Sequence, residues 1–311
     1  MNIQQLEYIV AIDTYRHFAK SAEATFVTQP TLSMMVQKLE EELEVKIFDR
    51  SKQPVVPTKI GEEIIMQARK ALAEIAEIKS IVNNDRGLVS GTLRIGVIPT
   101  LAPYLLPLFL KNYISKYPLV KMKVTEMISE QIVEAIVSGK LDAGLMATPL
   151  KDSRLKENRL FYEKFYAYVS QTEPEYQEIF LQPDKINTDH LWLLEEGHCF
   201  RSQIVKLCEI KQSSNSGKNL DYEAGSIETL IRIVEQSGGI TIIPEMATLA
   251  LTDAQKLNLR PFVNPSPVRE VSIVSHREFV KKKLLNTLAE EINASLPQSI
   301  LDQSNSIVID I

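Results

Sequence analysis

An α/β protein is predicted: a small helical head, one long linking helix, and a larger domain of alternating strands and helices. Three features carry this. A helix opened by Thr28-Gln29-Pro30 with a single buried stripe lies near the start of the chain. From Ile64 to Val82, apolar residues recur at intervals of 4, 3, 4, 3 and 4. From Thr92 onward, β-rich runs alternate with amphipathic stretches.

In the head, Leu6, Ile9, Val10 and Asp13 with flanking apolar residues give a first helix. His17-Phe18 leads into a short helix of small residues, Ala19 to Ala24, and Thr25-Phe26-Val27 is a turn. Thr28 caps the next helix, and its first turn tolerates Pro30. Leu32, Val36, Leu39 and Leu43 fall at i, i+4, i+7 and i+11, one buried stripe. Two short helices with a tight turn, the second showing small polar groups at its start, is the helix-turn-helix arrangement. Gln pairs bidentately with adenine, and Ser or Thr serves base edges or phosphates. Thr28, Gln29, Pro30, Thr31, Ser33, Met34 and Lys38 are therefore the expected contacts to double-stranded DNA. Ile47 to Lys52 and Val55 to Thr58 flank a polar tip and read as a two-stranded wing, from which Arg50 and Lys52 reach phosphates. A generic helical bundle is the plainer alternative.

Thr58 starts a helix running to about Asn83. Ile64, Ala68, Ala71, Ile75, Ile78 and Val82 form an a/d seam, which argues for pairing of two subunits. The alternative is a stripe packed on the chain's own head. A dimer would set two recognition helices one or more DNA turns apart, on a site of two-fold character. Asn83 to Gly91 is a polar hinge. The expected bounds are 1–58 for the winged head and 59–90 for the linker helix and hinge.

In the larger half, Thr92 to Val97 is a strand, Tyr104 to Tyr117 a helix, Val120 to Met127 a strand, Glu130 to Ser138 a helix capped by Ser129, and Leu141 to Met146 a strand. This βαβαβ order predicts a parallel sheet covered by helices on both faces. Further strands are expected at Ala167–Ser170, Leu191–Leu194, Ile240–Pro244 and Val271–Val274, with Leu220–Ala224 as another candidate. Lys211 to Asn219 reads as a polar loop. Ser226 caps a helix to Gln236, and Lys282 to Ala294 is the last amphipathic helix. The tail beyond Pro297 has no clear period.

Between these elements lies Glu195 to Cys208, which holds both cysteines, nine positions apart. Cys199 stands between His198 and Arg201, and cationic neighbours raise the thiolate fraction of a thiol. Ile204, Val205, Leu207 and Cys208 follow at helical spacing, so Cys199 is placed near a helix N-terminus, which favours an anion. A helical segment would hold the two Cα atoms about 13–14 Å apart at 1.5 Å per residue. A disulfide needs about 7 Å or less, so bridging requires the helix to unravel. A thiol that cross-links only by refolding its own segment is a candidate redox switch. On spacing alone, two unrelated core cysteines is the plainer reading.

Composition narrows the classes. An apolar content of 44% and a charged content of 24% are ordinary for a globular protein. The net charge of −5 does not by itself announce a nucleic-acid binder. No apolar run is long enough to span a membrane, and the start lacks the regions of a signal peptide, so a cytoplasmic protein is expected. In that reducing setting a disulfide would be transient and regulatory. His17, His190, His198 and His276 are scattered, there is no Cys-x-x-Cys, and no phosphate loop or Gly-x-Ser-x-Gly elbow is present, so no metal or cofactor is expected.

Several runs together resemble the LysR-type transcriptional regulators. These are Leu6-Glu7-Tyr8, Phe18, Ala22, Gln29-Pro30-Thr31-Leu32-Ser33, Leu39-Glu40, Leu43, Ile47-Phe48-Asp49-Arg50 and Thr58-Lys59-Ile60-Gly61. Within the family, the peroxide-sensing members are the most similar. Gly96 to Thr100, Pro103 to Pro107, Gly197-His198-Cys199-Phe200-Arg201, Cys208 and Ser226 to Leu230 carry that likeness.

The resemblance implies a two-lobed α/β regulatory domain of the kind related to periplasmic binding proteins. Lobe I would comprise 91–163 and 269–300, lobe II 164–268, and the tail 301–311, with the chain crossing near Phe161–Phe165 and Val263–Arg269. It also implies that Cys199 reacts with hydrogen peroxide and that Cys208 resolves the product. Thr100, His198, Arg201 and Arg269 would line the pocket, with Ser129 standing where those members usually carry threonine. Implied partners are an operator DNA, a homodimer or tetramer, RNA polymerase, and a glutaredoxin- or thioredoxin-like reductant. A regulator of the same build that senses a small carboxylate through Arg201 and Arg269 is the alternative. A thiol peroxidase is a third, opposed by the recognition helix and the heptad seam. The plain readings remain for the site residues: Thr100 and Ser129 as helix caps, His198 as a surface histidine, Arg201 and Arg269 as exposed ion-pair partners.

Overall fold

A computed structural model describes residues 1–85, 88–210, 224–279, 281–301 and 306–310. It divides into two compact units, one of residues 1–91 with 138–140 and one of residues 92–137 and 141–311. The expected loop at Lys211–Asn219, most of the strand proposed at Leu220–Ala224, and part of the hinge and tail lie outside the described residues.

The first unit opens with α1 (Ile3–Tyr15), where the Asn2 side chain accepts from Gln5 N–H and the Gln5 side chain accepts from Asn2 N–H, both at 2.9 Å. The next two helices are α2 (Phe18–Ala24) and α3 (Gln29–Glu42), the latter capped by the Thr28 hydroxyl. Leu32, Val36 and Leu39 are buried, whereas Leu43, expected on the same stripe, caps the helix and is exposed. Strands β1 (Phe48–Asp49) and β2 (Val56–Pro57) pair antiparallel as the wing. Tyr8, Ile9, Ile12, Leu32, Ile47 and Phe48 meet in one core. This packing is a winged helix-turn-helix rather than a generic bundle.

A buried carboxylate holds the wing in place. Glu40 Oε1 accepts from the backbone N–H groups of Ile47 and Phe48, at 2.8 and 3.2 Å, and its Oε2 accepts from Arg50 at 3.2 Å. Sequence alone gives Glu40 no role, because one charge on an amphipathic helix looks like a solvated position.

The long helix α4 (Lys59–Asp85) divides the two readings of its stripe. Ile64, Ile65 and Ala68 pack into the head core. Ile75, Ile78 and Val82 are exposed, and so is Ile81, which the seam did not include. Arg69 on α4 also donates to buried Asp13 of α1 at 2.7 Å, fixing the helix to the head.

In the second unit, β3 (Gly91–Val97), α5 (Ala102–Lys116), β4 (Val120–Glu126), α6 (Ser129–Val137) and β5 (Ala143–Thr148) form the expected βαβαβ run, with β3 parallel to β5. The long strand β6 (Leu155–Val169) follows, then β7 (Leu191–Trp192), α7 (Cys199–Leu207), α8 (Ile227–Ser237) and β8 (Ile240–Pro244). The last elements are α9 (Glu245–Thr248), α10 (Asp253–Lys256), β9 (Leu259–Pro261), β10 (Ser266–His276), α11 (Lys282–Ser295), α12 (Gln298–Leu301) and β11 (Ser306–Val308).

The sheet runs β4-β3-β5-β10-β6-β8-β7. It is mixed rather than purely parallel, because β10 is antiparallel to both β5 and β6. The two lobes share β6. β6 pairs with β10 up to Lys164 and with β8 from Phe165 onward. The crossings expected as links near Phe161–Phe165 and Val263–Arg269 thus fall largely within continuous strands. Their alternating patterns were obscured because β6 changes neighbours midway. The tail, unreadable in sequence, places β11 parallel to the start of β10.

Glu40→Ala is expected to destabilise the full chain by about 2–4 kcal/mol, since two buried backbone donors lose their acceptor. Glu40→Gln, which keeps one acceptor oxygen, should lose less; urea unfolding followed by circular dichroism measures both.

Candidate functional site

Two places gather the predicted residues. On the head, Thr28, Gln29, Pro30 and Met34 are exposed in the first half of α3 and Lys38 further along it, while Thr31 and Ser33 are half-buried. The Thr28 and Thr31 hydroxyls share a hydrogen bond of 2.8 Å. Arg50 does not hang free for phosphates. It donates to Ser33 at 3.2 Å and to Glu40, and its guanidinium lies 5.0 Å from the centre of the Phe18 ring. The wing is thereby clamped to α3. Lys52 is 66% exposed and stands 4.0 Å from Asp49. Beside them, His17, Lys20, Gln29, Ser33, Arg50 and Lys52 line one groove. His17 and Lys20 were missed by the sequence reading, although they precede the recognition helix in the same motif.

The second place is built around α7. Cys199 is its first residue and Cys208 its C-terminal cap, and both are free and buried. The buried face of the helix carries Phe200, Gln203 and Ile204; Val205 and Leu207, expected there, are only half-buried. Nine helical steps set the two Cα atoms about 13–14 Å apart at 1.5 Å per residue, so the thiols cannot bond while α7 is intact. Burial pushes the Cys208 thiol up to about 12.

The surrounding groups do not all behave as their plain readings suggest. His198 is buried, with Nε2 3.5 Å from Glu195, and is not a surface histidine. Arg201 is half-buried and donates to the Leu194 carbonyl at 2.6 Å, which ties α7 to the sheet end. Thr100 caps nothing: Leu101 is the cap of α5 and makes no side-chain bond. Ser129 is likewise no cap. It is the first residue of α6, and its hydroxyl is buried with no partner among the described residues. Next to it, Ile128 reaches Gly197, where an added Cβ would lie 3.3 Å from its Cδ1. The start of α6 and the loop before Cys199 therefore face each other.

Arg269 is fully buried, the reverse of an exposed ion-pair partner. Its Nε donates to Glu163 at 2.8 Å, and its two terminal nitrogens donate to Thr100, one to Oγ1 at 2.9 Å and one to the carbonyl at 3.2 Å. Its guanidinium lies 4.9 Å from the centre of the Phe200 ring, which stacks on Phe165 at 5.3 Å. Thr100, Arg269 and the residue after Cys199 are thus in one cluster. Glu163 was missed in sequence, because its pairing follows only from the β6–β10 register that sets it opposite Arg269. Tyr104, at the start of α5, donates to Glu228 of α8 at 2.7 Å, and burial and that carboxylate hold its hydroxyl far above the usual range. On the other side of α7, the Gln203 amide donates to the Ile309 carbonyl at 2.8 Å, and Ile309 N–H donates to Val268 at 2.8 Å. The tail segment thereby joins the redox-candidate helix to β10. Among the described residues no group of side chains is arranged to hold a metal.

A winged helix-turn-helix head, a long helix with an exposed apolar half and a two-lobed α/β domain define a DNA-binding bacterial regulator. The chain belongs to the LysR family. Residues 3–62 match the bacterial regulatory helix-turn-helix protein model of the lysR family, and residues 86–297 match the LysR substrate binding domain. The "Hydrogen peroxide-inducible genes activator" of Haemophilus influenzae is 34% identical over 274 residues, covering 88% of this chain and 90% of that protein. The "DNA-binding transcriptional dual regulator OxyR" of Escherichia coli is 31% identical over 296 residues, 95% of this chain and 96% of that protein. A solved structure of full-length OxyR from Pseudomonas aeruginosa, in a cysteine-to-aspartate variant, superposes with a TM-score of 0.81 at 31% identity, covering 95% of this chain and 99% of that one.

Arg269→Met should destabilise the chain by about 3–5 kcal/mol, because Glu163 is left as an uncompensated buried charge. Adding Glu163→Leu should recover a large part of that loss. Denaturant unfolding of the two single variants and the double variant gives the coupling.

Proposed function

We propose that this chain is a peroxide-responsive transcriptional regulator, with Cys199 as the reacting thiol. The observation that carries this is the pair of buried free thiols at opposite ends of α7, one beside the Thr100–Arg269 cluster and the other held neutral by burial. The names of the similar proteins support the same direction.

The Cys199 thiolate attacks one peroxide oxygen. A sulfur–oxygen bond forms, the oxygen–oxygen bond breaks, and hydroxide leaves to become water after taking a proton. Sulfur is oxidised by two electrons and peroxide is reduced. The helix opens, Cys208 becomes hydrated and loses its proton, and its sulfur displaces the hydroxyl of the sulfenic acid as a second water. Thr100 and Ser129 supply hydroxyls to orient peroxide, with His198, Arg201 and Arg269 shaping the surroundings. A glutaredoxin- or thioredoxin-like thiol reductant resets the disulfide.

The output is a change in how regulatory domains pair, which resets the spacing of the heads on an operator of two-fold character. The exposed Ile75, Ile78, Ile81 and Val82 on α4 serve the subunit contact, in a homodimer or tetramer that engages RNA polymerase from the cytoplasm. Thr28, Gln29, Pro30, Thr31, Ser33, Met34 and Lys38 read or anchor DNA, with Lys52 on phosphate and Arg50 bracing the wing. The chain acts as a stoichiometric regulator, not as an enzyme. We assign residues 1–58 to the head, 59–90 to the linker, 91–163 with 269–300 to lobe I, 164–268 to lobe II and 301–311 to the tail.

On a stoichiometric peroxide pulse, wild type should form an intramolecular disulfide and change its operator footprint. Cys208→Ser should stop at a dimedone-reactive Cys199, and Cys199→Ser should do neither; a disulfide in either variant, or a peroxide-blind footprint in wild type, would sink the reading. Non-reducing mass spectrometry with footprinting reports all three. A pH test follows from Cys208. Its folded-state value stands above the ordinary 9.0, so its contribution to stability is complete below pH 9 and is lost as pH rises toward about 12. Replacing it with alanine should flatten that part of the stability profile, as read by urea midpoints.

A further inference from the structure

We propose that Glu163 is a positioning residue for the reaction at Cys199: through Arg269 it fixes the Thr100 hydroxyl as a hydrogen-bond donor toward the departing hydroxide. The inference rests on the peroxide reading above.

Glu163 and Arg269 are both fully buried. Neither carboxylate oxygen is idle. Oε2 accepts from Arg269 Nε, and Oε1 accepts from the Met246 N–H in the first turn of α9, at 2.8 Å. The carboxylate is therefore anchored to a second element and cannot follow the arginine if it moves. Bonding at Nε sets the plane of the guanidinium, and the terminal nitrogens then fall on Thr100.

The direction of the Arg269–Thr100 bond has a chemical consequence. A guanidinium only donates, so Thr100 Oγ1 is the acceptor. A hydroxyl that accepts in this way keeps its own proton for a second partner, and among the described residues no acceptor takes it. Polarisation by the cation makes that proton a stronger donor. Breaking peroxide releases hydroxide, and a donor aimed at it stabilises the charge as it develops. The hydroxide takes its proton from solvent, so Thr100 ends unchanged.

The same geometry argues against a simple field effect. The charge of Arg269 is met at 2.8 Å by Glu163, so the pair adds little net positive potential at the thiol. If the pair acted through net charge, neutralising Glu163 would make Cys199 more reactive toward every electrophile. If it acts by positioning, only the reaction that expels hydroxide suffers.

The test compares two reagents on the full-length reduced protein: hydrogen peroxide and iodoacetamide, whose leaving iodide needs no donor. Glu163→Gln should slow peroxide oxidation of Cys199 by about 10- to 100-fold, somewhat less than deletion of an oxyanion donor outright. It also unmasks the Arg269 charge, so its alkylation should be unchanged or faster, and the loss is read as the ratio of the two rates. Glu163→Asp keeps Arg269 compensated, which protects folding, but withdraws the carboxylate by one methylene; it should slow peroxide oxidation while its alkylation stays within about twofold of wild type. Combining Glu163→Gln with Thr100→Val should be no slower than Thr100→Val alone. Unchanged or faster peroxide rates in both Glu163 variants overturn the proposal, as does an equal loss with both reagents. A wild type whose Cys199 is inert to peroxide overturns the underlying reading instead.

Discussion

The Arg269–Glu163 ion pair is the contact on which the arrangement of the larger unit depends. It joins β10 to β6, the strand that runs through both halves of the sheet, where β6 is about to change partners. Two charges without solvent are costly, and their attraction offsets the cost only when the remaining donors and acceptors are satisfied. Here Thr100, Met246 and the Phe200 ring complete the set. The first turn after β3, the start of α9 and the helix carrying Cys199 all converge on one buried charge. A shift in any of them is felt by the others.

That convergence also separates the two cysteines. Cys199 begins a helix whose next residue touches Arg269, while Cys208 ends it in an apolar setting that keeps its thiol protonated. An equal pair would offer two competing sites of oxidation. The unequal pair gives the proposed chemistry an order, set by packing rather than by the residues themselves.

The head was legible because its signals are local. A capping threonine, a proline in the first turn and a stripe at helical spacing need no distant partner, and Thr28, Ser226 and the strand Ile240–Pro244 stand where the pattern puts them. The misreadings arise where a residue's partner lies far away in sequence. Thr100 and Ser129 have the look of caps, yet one is claimed by an arginine 169 positions on and the other has no partner among the described residues. Glu40 and Glu163 have no local period at all. The stripe on α4 was read correctly as apolar, but periodicity cannot say which part faces the chain's own core and which faces outward. β6 hid because a strand buried against different neighbours along its length loses a single alternation.

Gln203 occupies the middle of the buried face of α7, where an apolar residue would pack without penalty. Its amide nitrogen is matched by the tail, but its carbonyl oxygen is buried with no partner among the described residues. An unmet acceptor of this kind costs about 1–3 kcal/mol. Opening the helix lets water reach it and returns that energy, which raises the frequency of excursions by roughly 5- to 150-fold, since 1.4 kcal/mol is a factor of ten. The segment that the proposed disulfide must unwind thus carries its own weak point, and its amides belong among the faster-exchanging ones of the lobe.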